Sequence, residues 1–251
     1  MLFCKSQMTN SVNFLYRKDE FEDLHTSHTT LKYKNDITKE ILESVQHAQF
    51  PVAITGAGIS KASGLPLLGD RIDGVPLSQF FDGSIFREDK ERFYDSYRKV
   101  LRLFLQATPN PAHLALAERE NFVITQNIDG LHRIAGCERV LEIHGNIREL
   151  RCMNCGLVES SMRALRYPVP RCPDCDEVLH PGITLEGEEV RHFSRATDWA
   201  GRADLMLIVG TQLFAHPVSK LPEATRRGTP IFEINENAEV LLPMLLQQEH
   251  S

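Results

Sequence analysis

The sequence predicts an α/β protein: a doubly wound parallel sheet interrupted by a small metal-bound lobe. Three observations predict it. Short apolar runs alternate with segments of helical spacing along most of the chain. Each apolar run ends in glycine or polar residues, as strands do where their carboxyl ends open on a ligand crevice. Two Cys-x2-Cys pairs, Cys152 with Cys155 and Cys172 with Cys175, sit in one stretch where the alternation stops.

Residues 1–36 mix charged residues with Ser, Thr and His. They lack the apolar core of a signal peptide and read as a polar N-terminal extension. Asp36 is placed to cap a helix running to Gln49, with Ile37, Ile41, Val45 and Ala48 on one face. Pro51 to Thr55 reads as a buried strand ending in the glycine turn Gly56-Ala57-Gly58-Ile59-Ser60, where a helix starts. Residues 67–108 form an excursion. Its first part, with Gly69, Asp70, Asp73, Gly74 and Pro76, reads as a mobile loop, and Glu88 to Gln106 as a helix.

The alternation then resumes. Pro111 to Glu120 is helical, Phe122 to Thr125 a strand, and a short helix falls near Leu131. Val140 to Ile143 is a strand ending on His144-Gly145. After the cysteine stretch come a helix (Ser194 to Gly201), the most apolar strand (Leu205 to Val209, ending on Gly210-Thr211-Gln212), a helix (Pro217 to Arg227) and a last strand (Pro230 to Ile234, ending on Asn235). Trp199 and the phenylalanines are assigned to the core. The sheet, Rossmann-like in this pattern, takes residues 37–146 and 186–251, with 67–108 as a loop and helical module. Residues 147–185 form the zinc-ribbon lobe.

The net charge of −6 gives no global attraction to nucleic acid or to an anionic membrane. Arg226-Arg227, the densest basic cluster, reads as a solvated helix end. No apolar run approaches the ~18 residues of a membrane span. The expected protein has neither nucleic-acid nor membrane partners and is cytoplasmic; the sequence leaves its oligomeric state open.

Of six cysteines, Cys4 and Cys137 stand alone. The other four have ribbon spacing, Cys152-x2-Cys155-x16-Cys172-x2-Cys175, and each pair is followed by a turn residue, Gly156 or Asp176. Four thiolates suit one tetrahedral Zn2+ and leave no position open for catalysis, so the metal is structural. Redox dithiols are the competing reading, and two pairs at this spacing disfavour it.

The strand ends should bring Gly56, Gln126, His144, Gly210 and Asn235 to one crevice. Taken singly, each has a plainer reading. Gly56-Ala57-Gly58 fits backbone approach to a phosphate, but it lacks full GxGxxG spacing and fits a tight turn equally well. Asn127 or Asp129 could simply cap a helix. His144 could make a single backbone bond. His113 reads as a helix-start histidine and His132 as structural. Convergence of amides, carboxylate and imidazole on one crevice favours chemistry.

These residues resemble the sirtuin (Sir2) family. The matching segments are Gly56 to Ser60 with Ser63-Gly64-Leu65-Pro66, Pro109-Asn110-Pro111-Ala112-His113, Thr125 to His132, Ile143-His144-Gly145, the four cysteines, Gly187-Glu188, Gly210-Thr211 and Ile234-Asn235. The resemblance spans about residues 37 to 246. It implies NAD-dependent removal of acyl groups from lysine in a protein or peptide, with transfer of the acyl group to ADP-ribose and release of nicotinamide. Gly56, Ala57, Gly58 and Ser60 would line the cofactor. Gln126 and Asn127 would hold the nicotinamide ribose and Asp129 the carboxamide. Gly210 and Thr211 would face the phosphate and ribose side, and Asn235 the adenosine ribose. His144 would be the general base and Asn127 its catalytic companion. Ile183, Thr184, Glu186 and Gly187 would line the acyl-lysine.

The chain also departs from the family. Its Asp-Phe-Arg-Gly is replaced by Leu67-Leu68-Gly69-Asp70, with Arg71 two positions late. That opens an alternative of mono-ADP-ribosyl transfer or NAD hydrolysis; a weakly active NAD or ADP-ribose binding module is a third. Glu186 stands where the family has an apolar residue, and is expected in solvent or facing a cation. The Tyr-x-x-Arg that reads acidic acyl groups becomes Tyr94-Asp95-Ser96-Tyr97, with Arg98 one residue out of register, so no succinyl preference is expected. The tail after Asn235 is short, implying a more open adenine side.

Overall fold

The computed structural model describes the backbone of residues 12–14 and the residues 40–119 and 121–246. In chain order the strands are β1 (Val12–Phe14), β2 (Pro51–Thr55), β3 (Arg71–Ile72), β4 (Val75–Pro76), β5 (Phe122–Thr125), β6 (Val140–Glu142), β7 (Gly145–Arg151), β8 (Val158–Ser160), β9 (His180–Ile183), β10 (Leu205–Val209) and β11 (Ile231–Ile234). The helices are α1 (40–47), α2 (Gly83–Glu88), α3 (Lys90–Gln106), α4 (Pro111–Glu118), α5 (Leu131–Ile134), α6 (Met162–Arg166), α7 (Phe193–Arg202) and α8 (Ala238–Leu246).

Six strands form the main sheet in the order β1-β11-β10-β2-β5-β6. The five from β11 to β6 are parallel. The chain leaves β2 toward β5 and β6, then returns to lay β10 and β11 on the other side. Strand order therefore reverses between β2 and β10, the switch point where such sheets open a crevice.

Alternation along the strands builds two cores. Ala53, Val123, Leu205, Leu207, Val209, Phe232 and Ile234 point to one face and pack on α1, α4 and α8. Val52, Ile54, Ile124, Met206 and Ile208 point to the other, against α7 and its Trp199. Phe122 meets Trp199 edge-on at 5.1 Å, and the Arg195 guanidinium lies over its other side. A third core joins the excursion to the cysteine lobe. Tyr94, Tyr97, Val100 and Leu101 of α3 pack with Ile147 and Leu150 of β7, with Ile183 of β9, and with Cys152 and Cys172. The lobe is a three-stranded antiparallel sheet, β8-β7-β9.

Several expectations are corrected. Residues 12–14, expected in a polar extension, form an antiparallel edge strand on β11. Asp36 and Ile37 lie outside the described residues. The segment after Gly56 is a 3-10 helix, Ala57–Ser63. The helix expected over Pro217 to Arg227 is a 3-10 turn, Val218–Ala224, in which Pro222 lacks the N–H an α-helix needs. Arg226 and Arg227 are exposed in the turn beyond it. The helix expected from Glu88 to Gln106 is found as α3, starting at Lys90 where Asp89 accepts the Arg92 N–H, and a separate helix, α2, capped by Asp82, precedes it where a loop was expected. The loop expected to be mobile is folded as the β3–β4 hairpin, pinned by Asp70 accepting from Leu67 N–H at 2.7 Å. Phe214, assigned to the core, is 86% exposed.

Candidate functional site

The carboxyl ends of β2, β5, β6, β10 and β11 carry polar residues that bond to one another across the crevice. Gly56 N–H reaches the Val209 carbonyl at 3.0 Å and Gly58 N–H the Gly210 carbonyl at 2.9 Å. Gln126 Nε2 donates to Thr211 Oγ1 at 3.0 Å, and Thr211 N–H donates to Asn235 Oδ1 at 2.9 Å. His144 Nδ1 lies 2.9 Å from the Gln126 carbonyl. All five predicted strand ends are thereby brought to one place.

Glycine is required at the centre of this contact. A Cβ on Gly210 would lie 2.2 Å from Ile59 N, and the residue has φ +63°. A Cβ on Gly58 would lie 2.7 Å from Gly210 Cα. Ala57 sits half-buried between Gly56 and Gly58.

Beneath the rim lies a buried polar network. The Ser60 hydroxyl donates to Asp129 Oδ2 at 2.7 Å and accepts from Asn127 Nδ2 at 3.0 Å. Asp129 Oδ1 accepts the Leu131 N–H at 2.8 Å, so Asp129 caps α5 while also holding Ser60. Asn127 N–H donates to Thr125 Oγ1, which also accepts from Thr55 Oγ1 at 2.8 Å. His132 Nε2 meets Thr55 Oγ1 at 2.9 Å. His113 Nε2 is 3.4 Å from Ser60 Oγ, and its ring lies 4.9 Å from that of His132. Such concentration of buried polar groups at one sheet end has no purpose in packing alone.

Burial lowers the pKa of all three histidines. His113 falls to about 4, with Asp129 opposing the shift. His132 falls well below its ordinary value, with His113 adding to the effect. His144 is lowered by burial and partly restored by the Gln126 carbonyl. At neutral pH His144 is therefore an uncharged imidazole. With Nδ1–H donated to the Gln126 carbonyl, Nε2 keeps a lone pair and can act as a base.

The predicted substrate residues flank His144. Thr184 N–H donates to the His144 carbonyl at 2.8 Å, and Gly145 pairs with Ile183. Thr184 Oγ1 is buried with no hydrogen-bond partner. Glu186 is exposed, with its N–H on the Phe81 carbonyl at 3.2 Å, and Gly187 is exposed at φ +91°. Arg71 is held on its own hairpin, with Nε 2.8 Å from the Gly74 carbonyl. Tyr94 is buried with its hydroxyl on the Leu179 carbonyl, and Arg98 is turned to the carbonyls of Ala164, Tyr167 and Pro168.

The four cysteine sulfurs lie within 4.8 Å of one another. A tetrahedral Zn–S4 unit has S···S edges of about 3.8 Å, and Cys152–Cys175 at 3.4 Å and Cys155–Cys172 at 3.5 Å lie a few tenths of an ångström inside that value. Gly156 at φ +80° and Asp176 at φ +59° make matching turns after the two pairs. The donor set fits one zinc ion.

Sequence reasoning missed Thr55 and Thr125 and assigned only structural roles to His113 and His132. His113 does serve its helix start, since Asn110 N–H reaches its Nδ1 at 3.4 Å. Its other nitrogen faces Ser60. The sequence shows only that Thr55 and Thr125 each end a strand; the structure places those strands side by side in register.

The Sir2 family profile matches residues 56–217. An NAD-dependent protein deacylase of Thermococcus kodakarensis is 36% identical over 216 residues, covering 78% of this chain and 84% of that protein. An NAD-dependent protein deacetylase of Thermotoga maritima is 37% identical over 203 residues, covering 76% and 82%. Among solved structures, a Sir2 protein bound to a propionylated peptide superposes with TM-score 0.65 at 35% identity, covering 74% of this chain and 81% of that one. A Sir2 homologue in complex with ADP-ribose gives 0.75 at 28% identity, covering 83% and 94%. With its glycine contact, buried Ser60–Asn127–Asp129 network and four-cysteine lobe, this chain belongs to the Sir2 family of sirtuins.

Proposed function

We propose that the chain is an NAD-dependent protein-lysine deacylase in which His144 is the general base. The observation that carries this reading is a half-buried His144 whose Nδ1 lies on the Gln126 carbonyl and whose pKa burial lowers, leaving Nε2 as an acceptor at the strand ends. The relatives named above as deacylase and deacetylase support it.

NAD, when bound, would supply the ribose that receives the acyl group and the nicotinamide that leaves. The chain's own residues would do the rest. Gly56, Ala57, Gly58, Gly210 and Thr211 would hold the phosphates and Asn235 the adenosine side. Gln126 and Asn127 would hold the nicotinamide ribose. Asp129, kept in place by Ser60, would bind the carboxamide. His144 takes a proton from a ribose hydroxyl, which activates that oxygen to receive the acyl group. Ile183 at the end of β9, with Thr184, Glu186 and Gly187 in the segment that follows it, would line the acylated peptide. The fit is supported by the donors and acceptors already gathered at the strand ends. The zinc ion has no chemical step to perform, since four thiolates close its coordination.

A second reading has one observation in its favour. Leu67-Leu68-Gly69-Asp70 replaces the family loop, Leu68 is 63% exposed, and Arg71 bonds its own hairpin. A poorly closed loop admits water, and ADP-ribose would then pass to water or to another acceptor. Incubation with NAD and an acetyl-lysine peptide, followed by mass spectrometry, separates the two. Acyl-ADP-ribose formed with peptide is the expected product. Nicotinamide released at the same rate without peptide would overturn deacylation in favour of hydrolysis or transfer. Among the described residues no helix is long and apolar enough to cross a membrane.

A further inference from the structure

We infer that Arg191 is a positioning residue that sets the affinity for the acylated peptide by holding the substrate strand against the His144 turn. The inference rests on the reading that the end of β9 at Ile183 and the segment 184–187 after it line the peptide. Arg191 Nη1 donates to the Gly182 carbonyl at 2.8 Å and Nη2 to the Ile183 carbonyl at 3.3 Å. Its own N–H donates to the Ile143 carbonyl at 2.8 Å, one residue before the base. One side chain and its backbone thus tie both edges of the contact: the strand end that carries His144 and the strand that lies beside it.

The contact leaves no slack. A Cβ on Gly145 would fall 2.2 Å from the Gly182 carbonyl and 2.8 Å from Arg191 Nη1. A Cβ on Gly182 would fall 2.5 Å from the Asn146 carbonyl. Two glycines permit the approach, and the guanidinium lies across it. Arg191 is half-buried. Its guanidinium donates to two main-chain carbonyls, and burial lowers its pKa. Placing a cation there costs desolvation, and the return is a fixed position for the Gly182 and Ile183 carbonyls. A planar fork with two parallel donors does this; an ammonium reaches one carbonyl at a time.

The side chain and the backbone have separable effects. Removing the guanidinium frees the carbonyls of β9, while His144 remains anchored by the Gln126 carbonyl and by Thr184 N–H. The phosphate side, Gly56 to Gly58 with Gly210, has no contact with Arg191 among those described. Peptide binding should weaken while ADP-ribose binding and the proton-transfer step persist.

The test compares R191A, R191K and the nearby control R195A, which removes an exposed positive charge that lies over Trp199. A charge-assisted bond is worth roughly 1.5–3 kcal/mol, so KM for an acetyl-lysine peptide is expected to rise about tenfold or more in R191A. The expected kcat stays within about threefold and ADP-ribose affinity within about twofold. R191K should be intermediate, R195A unchanged, and millimolar guanidinium should lower the KM of R191A. A peptide KM in R191K or R191A equal to wild type overturns the inference. So does an equal rise in R195A, which would make the effect one of surface charge. Should R191A fail to fold, R191K and R195A decide it alone. Wild-type enzyme that neither consumes nor binds the peptide, measured by anisotropy of a labelled peptide, overturns the deacylase reading and this one together. Wild-type deacylation with no KM change in the variants overturns only this one.

Discussion

His144 and His113 differ in what their burial accomplishes. His144 needs a neutral ring with a lone pair at the crevice, and its Nδ1 contact orients that lone pair. His144→Ala should abolish acyl-ADP-ribose formation while leaving the thermal midpoint and ADP-ribose binding close to wild type; turnover in that variant would remove His144 from its assigned role. His113 is buried deeper and its folded pKa of about 4 lies below its unfolded value. The unfolded state therefore binds a proton more readily between the two values. This stability is fully present above pH 6.5 and declines as pH falls from 6.5 toward about 4. Urea titrations at pH 7.5 and 5 should differ by about 2 kcal/mol from this group, and H113Q should shrink the difference. Thr184 is the opposite case, a buried hydroxyl that no described group satisfies. Thr184→Val should stabilise the free protein by about 1 kcal/mol in denaturant titration; destabilisation would reveal a partner for the hydroxyl.

At the scale of elements, the two loops that follow β2 and β10 act as one unit. Gly210 is in the left-handed region, and a Cβ on it would run into Ile59 N and the Gly58 backbone. Gly210→Ala would require these loops to separate, so NAD affinity should fall by about tenfold or more, measured by calorimetry with ADP-ribose. Unchanged affinity would show that the contact yields without disturbing the site. These loops were legible in the sequence because glycines after apolar runs have few meanings. The network of Thr55, Thr125, His113 and His132 was not. A threonine at a strand end or a histidine at a helix start is common, and only register and depth reveal that their side chains meet. The hairpin of residues 71–76 was read as mobile because turn residues signal a change of direction without saying whether the segment bonds to itself. The 3-10 segments were read as α-helix because both share an apolar face over one or two turns.

For the whole molecule, the alternation of short apolar runs with helical segments and the cysteine spacing were legible before any contact was known, since strands buried on both faces and four ribbon-spaced thiolates allow few other architectures. How the lobe joins the site was hidden. Its core runs through α3 to Ile183 and Leu185 and includes Cys152 and Cys172, so the metal site and the substrate strand share one packed cluster. Removal of zinc by a strong chelator should therefore abolish peptide turnover, while ADP-ribose binding to the sheet survives in direct titration. Loss of both together would mean that the sheet cannot stand without the lobe.

The chain's one tryptophan, on α7, faces the sheet with Phe122 at its edge and in a core that contains no lobe residue. The protein thus carries an optical reporter that sees one half of itself. Its ultraviolet emission should stay blue-shifted while a chelated lobe comes apart, and turn red only when the sheet melts. Emission and far-ultraviolet dichroism recorded in one titration would then separate the two halves without any label.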